Sequence, residues 1–210
     1  MSMTLVGWRR TVAALYAEVR ADPDPARAWQ RWREGRDRLF AEHPDSPIPE
    51  ADRADFNGLR YLPYDPALRF DLPVEPVEPA RIEVPTATDG LVPFERIGRL
   101  RLPRLGQLDV WWLDSYGGGV FVPFRDTSPD TYPGGRYVID TVKGADLGGD
   151  AGRLVVDLNF AYNPSCAYHP AWSCPLPPPG NTLTLPVGVG ELAYHPGPRR
   201  VSKRPHTIRS

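Results

Sequence analysis

Proline is the residue that most limits what this chain can fold into. The 210 residues include 26 prolines, more than double the usual share of about 5%. Proline lacks a backbone N–H and fixes φ, so it interrupts helices and the central strands of sheets. Hydrophobic residues nevertheless make up 41% of the chain, and six residues are tryptophan, a composition that argues against disorder. The sequence therefore predicts a folded body that is rich in loops.

Length and charge limit the classes of partner. A chain of 210 residues buries about 70% of its unfolded surface on folding, so stability requires neither a metal nor a disulfide. The 25 basic and 26 acidic residues give a net charge of -1, which offers no overall attraction to phosphate backbones or anionic lipids. No apolar run approaches about 18 residues, and the N-terminus lacks the pattern of a signal peptide. We expect a soluble, cytoplasmic protein that binds neither nucleic acid nor membranes.

Two helices are predicted in residues 1–44. The apolar residues of the first recur at spacings of three and four: Leu5, Trp8, Val12, Leu15 and Val19. This stripe predicts a helix over about 5–20, with Thr4 as its N-cap. Asp24 and Pro25 predict the start of a second helix, which should run to about Ala41, because proline at the first helical position costs no hydrogen bond.

The second helix carries a basic face made of Arg31, Arg33, Arg36 and Arg38. Glu34 and Asp37 are interleaved with these arginines. We interpret this face as a solvated surface or a lid held by ion pairs, rather than as a phosphate-binding patch.

After Pro49 the sequence changes to short alternating runs, which predict half-buried antiparallel strands. The runs cover residues 68–72, 81–84, 99–102, 107–112, 136–142 and 153–160. The loop from Ser115 to Gly119 predicts a hairpin. The predicted fold is mainly β: an antiparallel β-sandwich or barrel-like domain with two N-terminal helices and a proline-rich C-terminal loop. We expect the helical pair, residues 1–44, to pack on the β-rich domain of residues 45–196, and residues 197–210 to form a basic, disordered tail.

One polar segment stands out near the end of the predicted strand 153–160. If that strand continues to Phe160, Asp157 and Asn159 share one face and lead into Tyr162 and Asn163. The loop that follows, residues 164–186, contains seven prolines, and proline fixes φ. We expect a rigid loop that presents side chains.

Both cysteines of the chain lie in this loop, and three interpretations are open. Cys166, His169, Cys174 and His195 have the donor types that zinc takes, although their spacing matches no standard knuckle. Alternatively both thiols are buried, or they lie close enough to bridge, which a reducing cytoplasm disfavours. In the third interpretation Cys166 is a nucleophile and His169 or His195 is its base.

A second polar patch surrounds Asp126 and Arg136. Asp126, Thr127 and Ser128 are typical of a turn, but a turn does not require Arg136. The guanidinium could pair with Asp157 or Glu191, or bind a ligand carboxylate or phosphate through two hydrogen bonds.

With these residues in view, the chain resembles a bacterial and archaeal family known as domain of unknown function 1684. The resemblance is carried by Phe56 to Tyr61, Arg125 to Thr127, Thr131 to Tyr137, Asp157 to Tyr168, Ser173 to Pro179 and Gly190-Glu191. It runs from about residue 28 to 195, matches the short form of the family, and implies no established activity. Leu192 stands where the family tends to carry lysine, and a histidine at position 169 is not characteristic of it.

Three hypotheses for function follow. In the first, a small-molecule ligand binds a pocket lined by Asp126, Arg136, Asp157, Asn159, Tyr162, Asn163 and Asn181. In the second, the same pocket is an active site with Asp157 or Glu191 as acid or base, Arg136 as an anion clamp and Cys166 as a nucleophile. In the third, these side chains only fasten the proline-rich loop to the sheet.

Overall fold

The computed structural model describes residues 3–86 and 90–195; the predicted basic tail of residues 197–210 lies outside them. The described residues contain three α-helices: α1 (Met3–Ala21), α2 (Pro25–Glu42) and the short α3 (Glu50–Arg53). The two predicted N-terminal helices are confirmed, although α1 begins at Met3, so Thr4 lies inside the helix rather than at its cap. Within the described residues, no helix combines the length and apolarity that crossing a bilayer requires.

Seven strands form two antiparallel sheets. The strands are β1 (Arg69–Pro73), β2 (Arg81–Thr86), β3 (Gly90–Leu102), β4 (Gly106–Leu113), β5 (Val120–Phe124), β6 (Arg136–Asp140) and β7 (Arg153–Asp157). Five strands follow one another as β2-β3-β4-β5-β6, and β1 pairs with β7 in a separate ribbon. The predicted hairpin between β4 and β5 is confirmed. The fold is mainly β, as predicted, and the sheets are not closed into a barrel.

The main hydrophobic core lies between the two sheets. Its buried residues include Leu100, Leu108, Val122 and Val138 of the larger sheet and Val156 of the ribbon. All five residues of β6 are buried, so this strand lies in the middle of the molecule. Side chains near its ends are consequently surrounded by other elements.

The helical pair covers a second cluster against the β region. Tyr16 of α1 and Trp29 and Trp32 of α2 pack with Ala145, Leu147 and Phe160. The indole of Trp29 also donates a hydrogen bond to the carbonyl oxygen of Asn159 at 2.9 Å. The side chain of Asp24 accepts hydrogen bonds from the backbone of Ala26 and Arg27, which confirms the predicted cap of α2.

The predicted strand 153–160 is shorter than expected. β7 ends at Asp157, whose side chain accepts a hydrogen bond from the backbone N–H of Asn159 and begins a 3-10 turn over Leu158–Phe160. Because of this turn, Leu158 enters the core between the sheets while Phe160 enters the helical cluster. The alternating pattern therefore continued past the true end of the strand.

A bulge at Gly98 connects the two sheets. The register of β3 against β4 shifts between Arg96 and Gly98, and Glu75, just beyond β1, exchanges two backbone hydrogen bonds of 2.9 Å with Arg99. A Cβ atom at Gly98 would overlap with Val74 and come within 3.0 Å of the carbonyl oxygen of Glu75. Glycine therefore allows the chain that leaves the ribbon to cross the larger sheet.

We expect Gly98→Ala to lower the free energy of unfolding by about 1–3 kcal/mol, since overpacked sites cost that much. Urea unfolding measures the change. The matched control is Glu95→Ala on the exposed side of the same strand, which should change stability by less than about 0.5 kcal/mol. Equal stability of the two variants would contradict the role of Gly98.

Candidate functional site

The polar residues that the sequence singled out lie in several separate places. Asp157 and Asn159 form the first cluster, at the end of β7. The amide of Asn159 accepts from the backbone N–H of Asp65 at 2.8 Å and donates to the carbonyl oxygen of Asp65 and to Asp157. The phenol of Tyr64 donates to the other oxygen of Asp157 at 3.2 Å. Burial raises the pKa of Asp157, and its side chain fastens the segment that precedes β1.

Asn181 lies elsewhere, beneath β4 and β5, and is completely buried. Its amide nitrogen donates to the carbonyl oxygens of Asp109 at 2.9 Å and Pro123 at 2.8 Å, and its oxygen accepts from the indole of Trp111 at 2.9 Å. A Cβ atom at Gly180 would overlap with Asp109. The end of the proline-rich loop is therefore bonded closely to the large sheet.

Arg136 forms a third buried cluster with Asp126. The predicted pairing of Arg136 with Asp157 or Glu191 is wrong: its Nη2 lies 3.1 Å from Oδ1 of Asp126. Its Nη1 donates to the carbonyl oxygen of Val189 at 2.6 Å, and the second oxygen of Asp126 accepts from the backbone N–H of Val187 at 2.8 Å. Burial lowers the pKa of Arg136. The pair attaches the segment before Glu191 to β6, at the site where a ligand anion was expected.

Glu191 pairs instead with Arg36 of α2, at a distance of 2.9 Å. The same carboxylate accepts from the phenol of Tyr168 and, at 3.0 Å, from the backbone N–H of Asn163. Nε of Arg36 donates to the phenol oxygen of Tyr61 at 2.9 Å. Burial raises the pKa of Glu191, although Arg36 acts against this shift. Both charges are thus compensated by partners inside the protein.

Arg36 is a buried charged residue that the sequence analysis placed on the basic face of α2. It was assigned to a solvated face, but only 9% of it is exposed. Its guanidinium lies about 5 Å from the rings of Trp32, Phe40 and Tyr162, which form a cation–π cage. The available signal was its spacing: Arg36 follows Trp32 by four residues and Trp29 by seven, so all three share one helical face.

A small cleft lies beside this ion pair. It is formed by residues 55–60 and 191–195 and has a volume of about 30 Å³, which is room for about one water molecule. The amide of Asn163 donates to the carbonyl oxygen of Leu192 in this segment at 2.8 Å. His195 lines the same cleft.

The two cysteines of the proline-rich loop are both half-buried and both free thiols. The phenol oxygen of Tyr132 lies 3.6 Å from Sγ of Cys166. A hydrogen bond from the thiol of Cys174 is the main cause that lowers the pKa of Cys166 to about 6, and Tyr132 contributes in the same direction. The same interaction with Cys166 raises the pKa of Cys174. The two pKa shifts are opposite in direction, so the environment favours the thiolate at Cys166 over the thiolate at Cys174.

Two glycines position Tyr132 at this sulfur. A Cβ atom at Gly134 would overlap with the ring of Tyr132, and one at Gly135 would lie 2.5 Å from Pro177 and 2.8 Å from the carbonyl oxygen of Phe124. Gly135 also has a φ of +94°, which glycine adopts at least cost. The turn before β6 can thus fold against the loop that holds Cys174. The sequence analysis did not include Tyr132 among the candidate site residues, because its partner Cys166 lies 34 residues away along the chain.

The predicted zinc ligands do not come together. Across residues 3–86 and 90–195, no group of three or more His, Cys, Asp or Glu side chains is arranged to hold a metal ion. Nδ1 of His169 accepts from the backbone N–H of Ala171, and His195 lies in the cleft beside Glu191. Among the described residues, the side chains that bond to Cys166 are Tyr132 and Cys174, not either histidine.

Comparisons with known proteins identify a family and a solved structure that the chain resembles. The model of a family described as protein of unknown function (DUF1684) matches residues 54–192. The chain is 36% identical to an uncharacterized protein from gene locus rrnAC0354 of Haloarcula marismortui, whose solution NMR structure it matches with a TM-score of 0.55 over 78% of this chain and 91% of that one. No curated protein matches the chain.

Asn181 distinguishes a structural fastening from a ligand contact. We expect Asn181→Ala to lower the free energy of unfolding by about 3 kcal/mol or more, because the indole of Trp111 and two carbonyl groups lose their buried partner. Chemical denaturation measures the loss. The exposed neighbour provides the control, Thr182→Ala, which should change stability little. Unchanged stability in Asn181→Ala would instead favour a role in ligand binding.

Alkaline pH should unfold the protein steeply. Burial raises the pKa values of Tyr16, Tyr61, Tyr162 and Tyr168. Above about pH 10 the unfolded chain loses phenolic protons that the folded chain keeps, so the free energy of unfolding falls by about 1.4 kcal/mol per pH unit for each such tyrosine. Urea unfolding between about pH 9 and pH 11 measures this slope.

The exposed phenol of Tyr116 supplies the matched control. Tyr116→Phe should keep the steep slope, whereas Tyr168→Phe should reduce it. The prediction fails if tyrosinate absorbance of all tyrosines appears near pH 10 while the protein is still folded.

Proposed function

Since this chain belongs to the DUF1684 family of proteins of unknown function, we propose that its function is thiol chemistry: it binds a small electrophilic molecule and attacks it with the thiolate of Cys166. The observation that carries this proposal is the arrangement around one half-buried sulfur. The phenol oxygen of Tyr132 lies 3.6 Å from Sγ of Cys166, and the side chain of Cys174 lies close enough to lower the pKa of Cys166.

Hydrogen bonds to a thiolate favour its charged form, because they replace the water that burial removes. Burial, followed by the influence of Cys166, raises the pKa of Tyr132 to about 12. The phenol therefore keeps its proton at neutral pH and can donate it in a hydrogen bond to the sulfur. A thiolate that is already formed at neutral pH is the reactive state of a cysteine.

The other candidate residues support a framework rather than chemistry. The carboxylates of Asp157 and Glu191 are each 1% exposed, and each accepts hydrogen bonds from neighbouring groups. Arg136, Asn159 and Asn181 are bonded internally in the same way. A ligand that contacted them would have to break these bonds, at a cost of about 1–3 kcal/mol for each group left unpaired.

We propose that a small molecule binds at the cysteine loop rather than at the polar residues predicted from the sequence. A half-buried sulfur between loops admits a small reagent more readily than a macromolecule. Two unbridged thiols also fit a reducing compartment such as the cytoplasm.

Alkylation by iodoacetamide tests the reactive thiol. Cys174→Ser leaves Cys166 as the sole thiol and keeps an O–H donor beside it, so its rate against pH should have a midpoint well below the value of about 8.5 for a free cysteine. Cys166→Ser removes the main cause of the raised pKa of Cys174 but leaves this thiol half-buried, and burial alone should keep its midpoint at or above that of a free cysteine.

The other titratable groups beside the pair are Tyr132, Tyr137 and Lys143. Tyr132→Phe in the Cys174→Ser protein should move the midpoint upward, whereas Ser173→Ala at an exposed loop position should not. A midpoint at or above that of a free thiol in the Cys174→Ser protein would refute the proposed function.

A further inference from the structure

Attack of the Cys166 thiolate on a carbon electrophile does not require Cys174. Cys174 is half-buried, and its side chain lies close enough to Cys166 that this neighbour is the main cause of its raised pKa. It therefore stays protonated while Cys166 is a thiolate. A neutral thiol held against a reactive one can act in a second step, after the first sulfur has been oxidised.

The loop between the two cysteines suits such a step. It places them eight residues apart, and the carbonyl oxygen of Pro175, next to Cys174, accepts a hydrogen bond of 2.6 Å from the phenol of Tyr137. Tyr137 belongs to the fully buried strand β6 and is 1% exposed, so this bond ties the Cys174 side of the loop to the interior of the fold. On the other side, Cys166 lies in a 3-10 turn, Ser165–Ala167.

We propose, building on the reactive thiol of the preceding section, that Cys166 and Cys174 form a dithiol that reduces hydroperoxides and closes to a disulfide. A hydroperoxide is the oxidant we infer, because the phenol of Tyr132 lies beside the sulfur. The phenol of Tyr132, 3.6 Å from the sulfur, can donate to the oxygen of a peroxide that approaches Cys166, whereas a carbon electrophile or a disulfide offers weaker acceptors there.

The chemistry balances in two steps. The Cys166 thiolate attacks one oxygen of the hydroperoxide, an S–O bond forms, the O–O bond breaks, and the departing alkoxide or hydroxide takes a proton from water. Cys166 is then a sulfenic acid, oxidised by two electrons, and the peroxide is reduced to an alcohol or water. Oxidation of Cys166 removes the thiolate that raised the pKa of Cys174, so Cys174 can lose its proton and attack the Cys166 sulfur as a thiolate. An S–S bond forms, the S–O bond breaks, and the leaving hydroxide combines with the released proton as water. A low-molecular-weight thiol returns the disulfide to the dithiol by exchange.

Tyr132 is a positioning residue in this scheme. Its phenol orients the peroxide and stabilises the thiolate, and it neither gains nor loses a proton overall. Tyr132→Phe should slow oxidation of Cys166 at neutral pH by about tenfold or more and move its pH profile upward, without changing the melting temperature. A purely structural role would instead lower the melting temperature and leave the pH profile in place.

The test uses the full chain, reduced, freed of reductant and treated with one equivalent of hydrogen peroxide. Intact mass should fall by two hydrogens, with loss of both titratable thiols and a linked peptide that contains Cys166 and Cys174. Cys174→Ser should gain one oxygen at Cys166, trapped by dimedone as the sulfenic acid. Cys166→Ser should react no faster than a free thiol, and Ser173→Ala should behave as the natural sequence does.

Two failures are distinguishable. If iodoacetamide reacts rapidly with Cys166 but peroxide yields neither the disulfide nor the trapped sulfenic acid, the hydroperoxide activity is refuted while the reactive thiol stands. If both reagents react as they do with an unfolded cysteine peptide, both proposals are refuted. A disulfide between two chains rather than within one would also overturn the dithiol assignment.

Discussion

The buried ion pair of Arg36 and Glu191 is the constraint on which the rest of the structure depends. It joins α2 to a segment 155 residues away, and the same carboxylate bonds to Asn163 and Tyr168 of the cysteine segment. Removing one partner of such a pair leaves an uncompensated charge, which costs about 3–5 kcal/mol. The pair therefore specifies how the helical layer, the cysteine segment and the C-terminal segment meet, whatever its net contribution to stability.

In the proposed function, the buried polar side chains hold the fold together and the thiol of Cys166 reacts. Several buried polar side chains form hydrogen bonds between chain segments that are not paired in a sheet. Asn159 does this for the segment before β1, Asn181 for the end of the proline-rich loop and Arg136 for the segment around Val189. Because proline removes backbone donors, side-chain amides and guanidinium groups take over the bonding that the backbone cannot provide. In the proposed function, the half-buried sulfur of Cys166 is the group that remains accessible to a reagent.

The sequence predicted what local chemistry determines. Asp24 and Pro25 mark the start of α2 because capping depends on adjacent residues, and alternation located most strands. Contacts between distant segments escaped this reasoning: the burial of Arg36 requires Glu191, and the role of Tyr132 requires the loop of Cys166. The end of β7 was misplaced because Leu158 and Phe160 are both apolar but face different clusters. The hydrogen-bond partners of a polar residue, which the sequence does not show, decide whether it has a structural or a functional role.

The attachment of the cysteine loop also determines how it can move. Between Ser173 and Pro177, no backbone group bonds to another backbone group of a described residue, and the phenol of Tyr137 supplies the fastening at Pro175. Amide protons in this stretch have no ladder to protect them from hydrogen exchange, so the segment can detach as a local unit while both sheets stay intact. Opening of this segment requires release of the phenolic hydrogen bond at Pro175 and of the contact between Cys174 and Cys166, and it would give a reductant access to both sulfurs.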